Sequence, residues 1–222
     1  MTWDELAVQL PKLWDGVLIT LLLAGASFLL GAILGVPLSL ARISSRRWLV
    51  GAAGGFIALV MATPVVIMLL WLYYGLPILT GVLLPDLLVL ILVLTLNQMV
   101  IMAENYRSGL RAVPSGQRDG AIMLGLSRWQ ALRHVVLPQM LRAVVPLLAS
   151  SSIVLVKDSA IATFIGTNDL LNAARSAAIA TFRPLELLSI AALLYFMLTY
   201  PIALLAARLE YGMARLQKPR LR

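Results

Sequence analysis

The chain has 222 residues, 61% hydrophobic and 13% charged, with a mean hydropathy of +0.93 and a formal net charge of +8. Soluble domains are roughly 45–50% apolar and about 25% charged, so the composition excludes a soluble domain, a disordered chain and a secreted disulfide scaffold, and implies a polytopic membrane protein. There is no cysteine, and the single histidine, His134, cannot by itself form a zinc site.

Charged side chains are costly in hydrocarbon and a span needs about 20 apolar residues, so uncharged runs mark the spans. Residues 1–15 hold Asp4, Glu5 and Asp15 against Lys12 alone, unlike the basic start of a signal peptide. With Trp3 and Trp14, they are expected to form an interfacial segment lying on the membrane. The first span is expected over 16–41 and the second over 51–74. Gly75, Pro77 and Gly81 then punctuate the chain, and a third span covers 82–103. The uncharged run at 143–156 is short, but adding Pro138 to Arg142, with Arg142 snorkelling, gives a fourth span over 138–157. The fifth covers 187–207. Gly31–Gly35 and Gly51–Gly55 have the small-x-x-x-small spacing that lets membrane helices approach closely.

Between the third and fourth spans lies a segment with unusual local order. Pro114, Ser115 and Gly116 form a turn with Ser115 as a possible cap, followed by a helix over 117–123 and a break at Gly125. A second helix is expected over 127–136, capped by Ser127, with Pro138 disfavouring its continuation into the fourth span. Taken alone, this pattern also fits a surface-lying amphipathic connector. His134 beside Arg133 reads as a solvated loop residue, since no nucleophile accompanies it.

Lys and Arg fix the orientation, because cytoplasmic loops carry them in excess. Four fall on the side of the N-terminus and fourteen on the other, which places the N-terminus outside and the C-terminus inside. The same distribution accounts for the positive charge without nucleic acid. No G-x-x-x-x-G-K-[ST] loop is present, so the chain carries no visible means of hydrolysing ATP. Within the spans the polar candidates are Thr63, Asn97, Gln98 and Ser150 to Ser152, each able to line a path or to join helices. Glu104, Lys157 and Asp158 sit at span ends.

Several ordered motifs resemble a known family. Gly116-Gln117-Arg118-Asp119-Gly120-Ala121, then Leu124-Gly125-Leu126-Ser127, then Val136-Leu137-Pro138-Gln139, is similar to the EAA signature of binding-protein-dependent ABC importer permeases. Pro146-Leu147-Leu148, Lys157-Asp158-Ser159-Ala160-Ile161, Thr63-Pro64 and Tyr74-Gly75-Leu76-Pro77 resemble further elements of the polar amino-acid uptake permeases. The resemblance implies an all-α integral membrane protein over 1–222, with five transmembrane helices and a cytoplasmic coupling helix within 114–138, the type I ABC importer permease fold. It implies that Gly116, Gln117, Arg118, Asp119, Ala121, Leu124, Gly125, Leu126 and Trp129 engage an ATP-binding subunit dimer, which carries ATP and Mg while this chain holds no cofactor, metal or catalytic residue. It further implies a bacterial inner-membrane location, a periplasmic solute-binding protein and a second permease subunit. Thr63, Pro64, Asn97, Gln98, Glu104, Ser152, Lys157 and Asp158 become the expected substrate path.

Departures from the family pattern carry information as well. Asp119-Gly120 stands in place of the usual Glu-Ala, keeping a carboxylate one methylene shorter. Met61, Ala62 and Ile101 stand where many relatives have polar groups, and Ser159-Ala160 weakens a hydroxyl pair. These losses favour a heterodimer in which a sister permease supplies more of the substrate site. The alternatives are a stand-alone secondary carrier or channel, and a membrane-embedded scaffold or enzyme. Against them, no intramembrane carboxylate or nucleophile–base pair is evident.

Overall fold

The computed structural model describes residues 3–217, with side chains from 8 to 209. Trp3, Asp4 and Glu5 have described backbone but no described side chains, and Lys218, Arg220 and Arg222 lie outside the described residues. All regular structure in the described part is helical: α1 (Trp3–Arg42), α2 (Arg47–Ala62), α3 (Val65–Thr80), α4 (Asp86–Arg111), α5 (Ser115–Met123), α6 (Arg128–Ile165), α7 (Leu170–Thr181) and α8 (Pro184–Gln217). Helices α1, α4, α6 and α8 are each long and apolar enough to cross a membrane, and α2 with α3 makes a fifth, broken span.

The N-terminal segment forms no element of its own. α1 continues through it as one helix of 40 residues, about 60 Å at 1.5 Å per residue, and so longer than the roughly 30 Å hydrocarbon layer. The expected second span is not a single helix either. Thr63 is extended (φ −94°, ψ 122°) ahead of Pro64, and the axis turns by 96°. The cause is local: proline lacks an N–H and pushes the preceding residue out of the helical region. The chain then stays helical through Gly75 and Pro77 by way of a wide π-turn at Trp71–Gly75, and stops at Gly81 (φ 73°). The third span therefore begins at Asp86 rather than near Val82.

Pro138 also fails to break its helix. A second π-turn, Leu132–Val136, precedes it and gives the ring room, so the chain runs without interruption from Arg128 to Ile165.

In lipid, helices gain little from burying oily surface, so close van der Waals packing holds them together. α1 and α4 run parallel with their backbones in near contact. A Cβ on Gly31 would lie 2.8 Å from Gln98 Cβ, and one on Gly35 would lie 2.7 Å from Met102 Cβ. A core of Leu23, Leu69, Leu90, Leu94, Leu155 and Ala162 joins α1, α3, α4 and α6.

The stretch expected as a plain loop between the last two spans contains α7, wedged between α1 and α8. Ala173, Ala174, Ala177 and Ala178 pack against Leu13, Val17, Leu187 and Ala191. Fully buried Asp169 caps it, its carboxylate accepting from Leu171 N (3.2 Å), Asn172 N (3.1 Å) and Tyr195 OH (3.4 Å). Leu170 N donates to Thr20 Oγ1 at 3.2 Å, and a Cβ on Gly16 would lie 2.8 Å from Leu170 Cα.

Burial pushes the Asp169 carboxyl up to about 6, against the hydrogen bonds that lower it. A raised carboxyl stabilises the fold at acid pH, and that contribution disappears as pH rises through the folded value. The rise from the ordinary aspartate value to about 6 corresponds to about 3 kcal/mol. Thermal melting of the detergent-solubilised chain is expected to fall between about pH 4 and pH 6, and Asp169→Asn is expected to flatten that slope. An unchanged slope in the variant would assign the dependence to another group. Absolute stability shifts with the lost second acceptor, so the slope is the readout.

Candidate coupling segment and polar sites

The segment between α4 and α6 is a rigid turn, built by two complementary end signals. At the end of α5, Gly125 N bonds Ile122 O (3.0 Å) and Leu126 N bonds Ala121 O (3.2 Å). This is the Schellman closure, which requires a left-handed residue at the turn. Gly125 occupies it with φ +89°, a conformation that costs L-residues with a Cβ roughly 1–2 kcal/mol. At the start of α6, Ser127 and Gln130 form a capping box: Gln130 N donates to Ser127 Oγ (3.2 Å) and Ser127 N to Gln130 Oε1 (2.8 Å). Ser127 thus caps as expected. Ser115 does not cap α5, because Pro114 takes the cap position and Ser115 is already helical. Gln139 Nε2 donates to Gln117 Oε1 (3.3 Å), tying α5 to α6.

This turn holds apolar side chains out of the protein. Met123, Leu124 and Trp129 are 89%, 87% and 67% exposed. Leu124 and Trp129 were expected there; Met123 escaped the sequence reading, although it adjoins Leu124 at the same helix end. Leu126 is half-buried and lines a cleft with Gly116, Gln117, Ala121 and Leu124, so it lies deeper in the turn than the exposed Leu124. Ala121 is buried. Arg118 and Asp119 are exposed along a cleft on another side of α5. His134 Nδ1 lies 3.0 Å from Gln130 O, a local helix contact.

The expected substrate-path residues separate into distinct places. Thr63 Oγ1 donates to Leu59 O (2.8 Å) and lines an apolar cleft of about 720 Å³ at the α2–α3 bend, with Phe56, Ile67, Trp71 and Leu96. Pro64, exposed, makes the bend. Gln98 is 2% exposed and donates through Nε2 to Ser151 Oγ (3.2 Å), which in turn donates to Leu148 O. That pair joins α4 to α6. Ser152 Oγ donates to its own helix at Ala149 O (2.7 Å), and Asn97 is half-buried on a different face of α4.

Glu104 accepts from Arg107 Nε (2.8 Å) and lies 3.7 Å from Arg42 Nε. The Arg42 guanidinium reaches Val50 O and sits over Gly54. Glu104 therefore anchors α1, α2 and α4 to one another at one end of the spans. Lys157 is exposed and Asp158 half-buried, and neither forms an ion pair among the described residues.

An all-helical bundle of five spans with an apolar, rigidly capped turn outside them defines a membrane permease built to dock a partner. The chain belongs to the binding-protein-dependent transport system inner membrane component family, whose profile matches residues 27–215. It is 33% identical over 202 residues to the arginine transport system permease protein ArtQ of Bacillus subtilis, covering 91% of this chain and 92% of that one. It is 28% identical over 213 residues to the glutamine transport system permease protein GlnP of Escherichia coli K12, covering 95% and 97%.

Among solved structures it matches an amino acid ABC transporter crystallised with histidines, at TM-score 0.86 and 30% identity, covering 96% of this chain and 100% of the other. It also shares the fold of the MetNI methionine ABC transporter, at TM-score 0.68 and 18% identity, covering 94% and 99%. The protein is thus a multi-pass inner-membrane permease subunit of an ABC importer with the type I fold, and is neither an enzyme nor a stand-alone carrier.

Proposed function

We propose that this subunit passes polar amino acids across the membrane, after a binding protein delivers them outside and while a separate ATP-binding subunit dimer hydrolyses ATP with Mg. The observation that carries the reading is the outward-facing set Met123, Leu124 and Trp129 on a turn closed at both ends. Exposed apolar side chains held on a rigid turn are what a partner groove takes up. Gly116, Gln117, Arg118, Asp119, Ala121, Gly125 and Leu126 shape and flank that turn. Because α6 begins at the turn and continues as one helix to Ile165, movement of a docked ATPase acts directly on the fourth span through a rigid element. The relatives ArtQ, an arginine permease, and GlnP, a glutamine permease, support a polar amino acid as cargo.

The excess of Lys and Arg on one side supports an outside N-terminus and an inside C-terminus. The apolar Met61 and Ile101 favour a heterodimer, and α2 leaves a face open to a second subunit: beyond its own helix, nothing lies within 4 Å of a Cβ placed on Gly51 or Gly55. Thr63 and Pro64 at the bend, with Asn97, Ser152, Lys157 and Asp158, remain the residues proposed to border the path; Gln98 and Glu104 act as its structural supports.

A pull-down of the tagged chain from native membranes, in a detergent that preserves such complexes, tests this. Recovery of an ATP-binding subunit and a second five-span permease is the expected result. An ATP-binding subunit with no second permease, together with transport by the reconstituted homodimer, would overturn the heterodimer. Transport without nucleotide would overturn the whole reading.

A further inference from the structure

A cleft of about 660 Å³ lies between the end of α4, helix α5 and the start of α6, within the range of roughly 300–1,000 Å³ that encloses small ligands. Three elements each bring one arginine to it: Arg111 from the end of α4, Arg118 from α5 and Arg128 from the first turn of α6. All three are exposed, and none forms an ion pair among the described residues. Asp119 shares the cleft and offsets one charge, leaving a net excess of two. The remaining wall is largely apolar, with Leu110 and Leu132 prominent. The outward-facing Met123, Leu124 and Trp129 do not line it, although Arg118 and Asp119, which flank the proposed docking turn, do.

We propose that this cleft binds the headgroup of an anionic phospholipid. The lining suits an amphiphile with an anionic head: guanidinium groups suit phosphate oxygens bidentately, and the apolar wall accepts the glycerol and first acyl carbons. Basic pockets at the ends of spans are where anionic headgroups are held. A spread of arginines required by topology alone would not need to converge from three elements on one cleft with apolar walls. The bound lipid bridges α4, α5 and α6, and so steadies the coupling turn against the spans.

Native mass spectrometry of the assembled transporter, taken from nanodiscs of equal phosphatidylglycerol and phosphatidylcholine, tests the site. Wild type is expected to retain phosphatidylglycerol preferentially. Arg111→Gln and Arg128→Gln are each expected to weaken that preference about fivefold, while Arg175→Gln, on α7 away from the cleft, leaves it intact. Equal retention by wild type and the Arg111→Gln/Arg128→Gln double variant would overturn the proposal. Loss of the ATP-binding subunit from that variant with lipid retention unchanged would also overturn it, and would assign the cleft to the ATPase. Displacement of the lipid by inorganic phosphate alone would overturn the lipid assignment in favour of a free-anion site.

Discussion

Gly125→Val is expected to reduce ATP-driven uptake about tenfold or more, while leaving membrane insertion and the melting temperature of the spans close to wild type. A Cβ at this position meets nothing within 4 Å, so the effect is conformational. At φ +89° a β-branched residue is strained by roughly 1–3 kcal/mol, equivalent to about five- to 150-fold in the population of the correct turn. Losing the turn breaks the two hydrogen bonds that close α5 and re-aims Leu124 and Trp129. Gly125→Asn, which tolerates the left-handed region, is expected to retain much more uptake than Val. The measurement is substrate uptake and ATP hydrolysis in proteoliposomes containing the assembled transporter. Coupling through this turn requires the Val variant to lose uptake even where ATP hydrolysis persists; wild-type uptake would remove the turn from the mechanism.

Gly35→Val is expected to destabilise the fold by roughly 3 kcal/mol or more, at the upper end of overpacking costs because backbone cannot give way as a flexible side chain can. Its added carbons meet Met102 Cβ at 2.7 Å, Met99 O at 3.1 Å and Ala103 N at 3.2 Å. α1 is then forced off α4. Gly55→Val, in the same sequence spacing one helix later, meets no atom within 4 Å and is expected to leave the isolated subunit unaffected. Melting and monodispersity of the two variants in detergent measure the contrast. Equal behaviour of the pair would show that α1 and α4 do not pack as closely as described. A Gly55→Val subunit that folds normally but fails to pair with a second permease would identify the open face of α2 as the contact.

Sequence alone determined the class of protein, the number of spans and the position of the capped turn between the third and fourth spans. Each of these rests on a quantity that is local in the chain. Desolvation costs sum along a segment, so hydropathy marks spans whatever they pack against. Gly125, Ser127 and Gln130 act within a few residues of themselves, so the turn was legible before any tertiary contact was known. Thr63-Pro64 was read as a motif but not as a bend, because the uncharged run around it satisfies the length rule for a continuous span.

Tertiary structure decided the rest, since each remaining feature depends on a partner far along the chain. Gly31–Gly35 and Gly51–Gly55 are indistinguishable as patterns, yet one lies against α4 and the other faces outward within this subunit. Gln98 reads as an isolated intramembrane amide until Ser151, 53 positions away, accepts its hydrogen bond. Glu104 likewise becomes an anchor only once α1 brings Arg42 to it. Asp169 and the alanines of α7 carry an ordinary cap-and-helix signal, but twelve residues interrupted by Arg175 are too short for a span and read as loop, and only α1 and α8 closing over them make a buried wedge. The physical division is between free energies that a segment has by itself and those that arise when two surfaces meet.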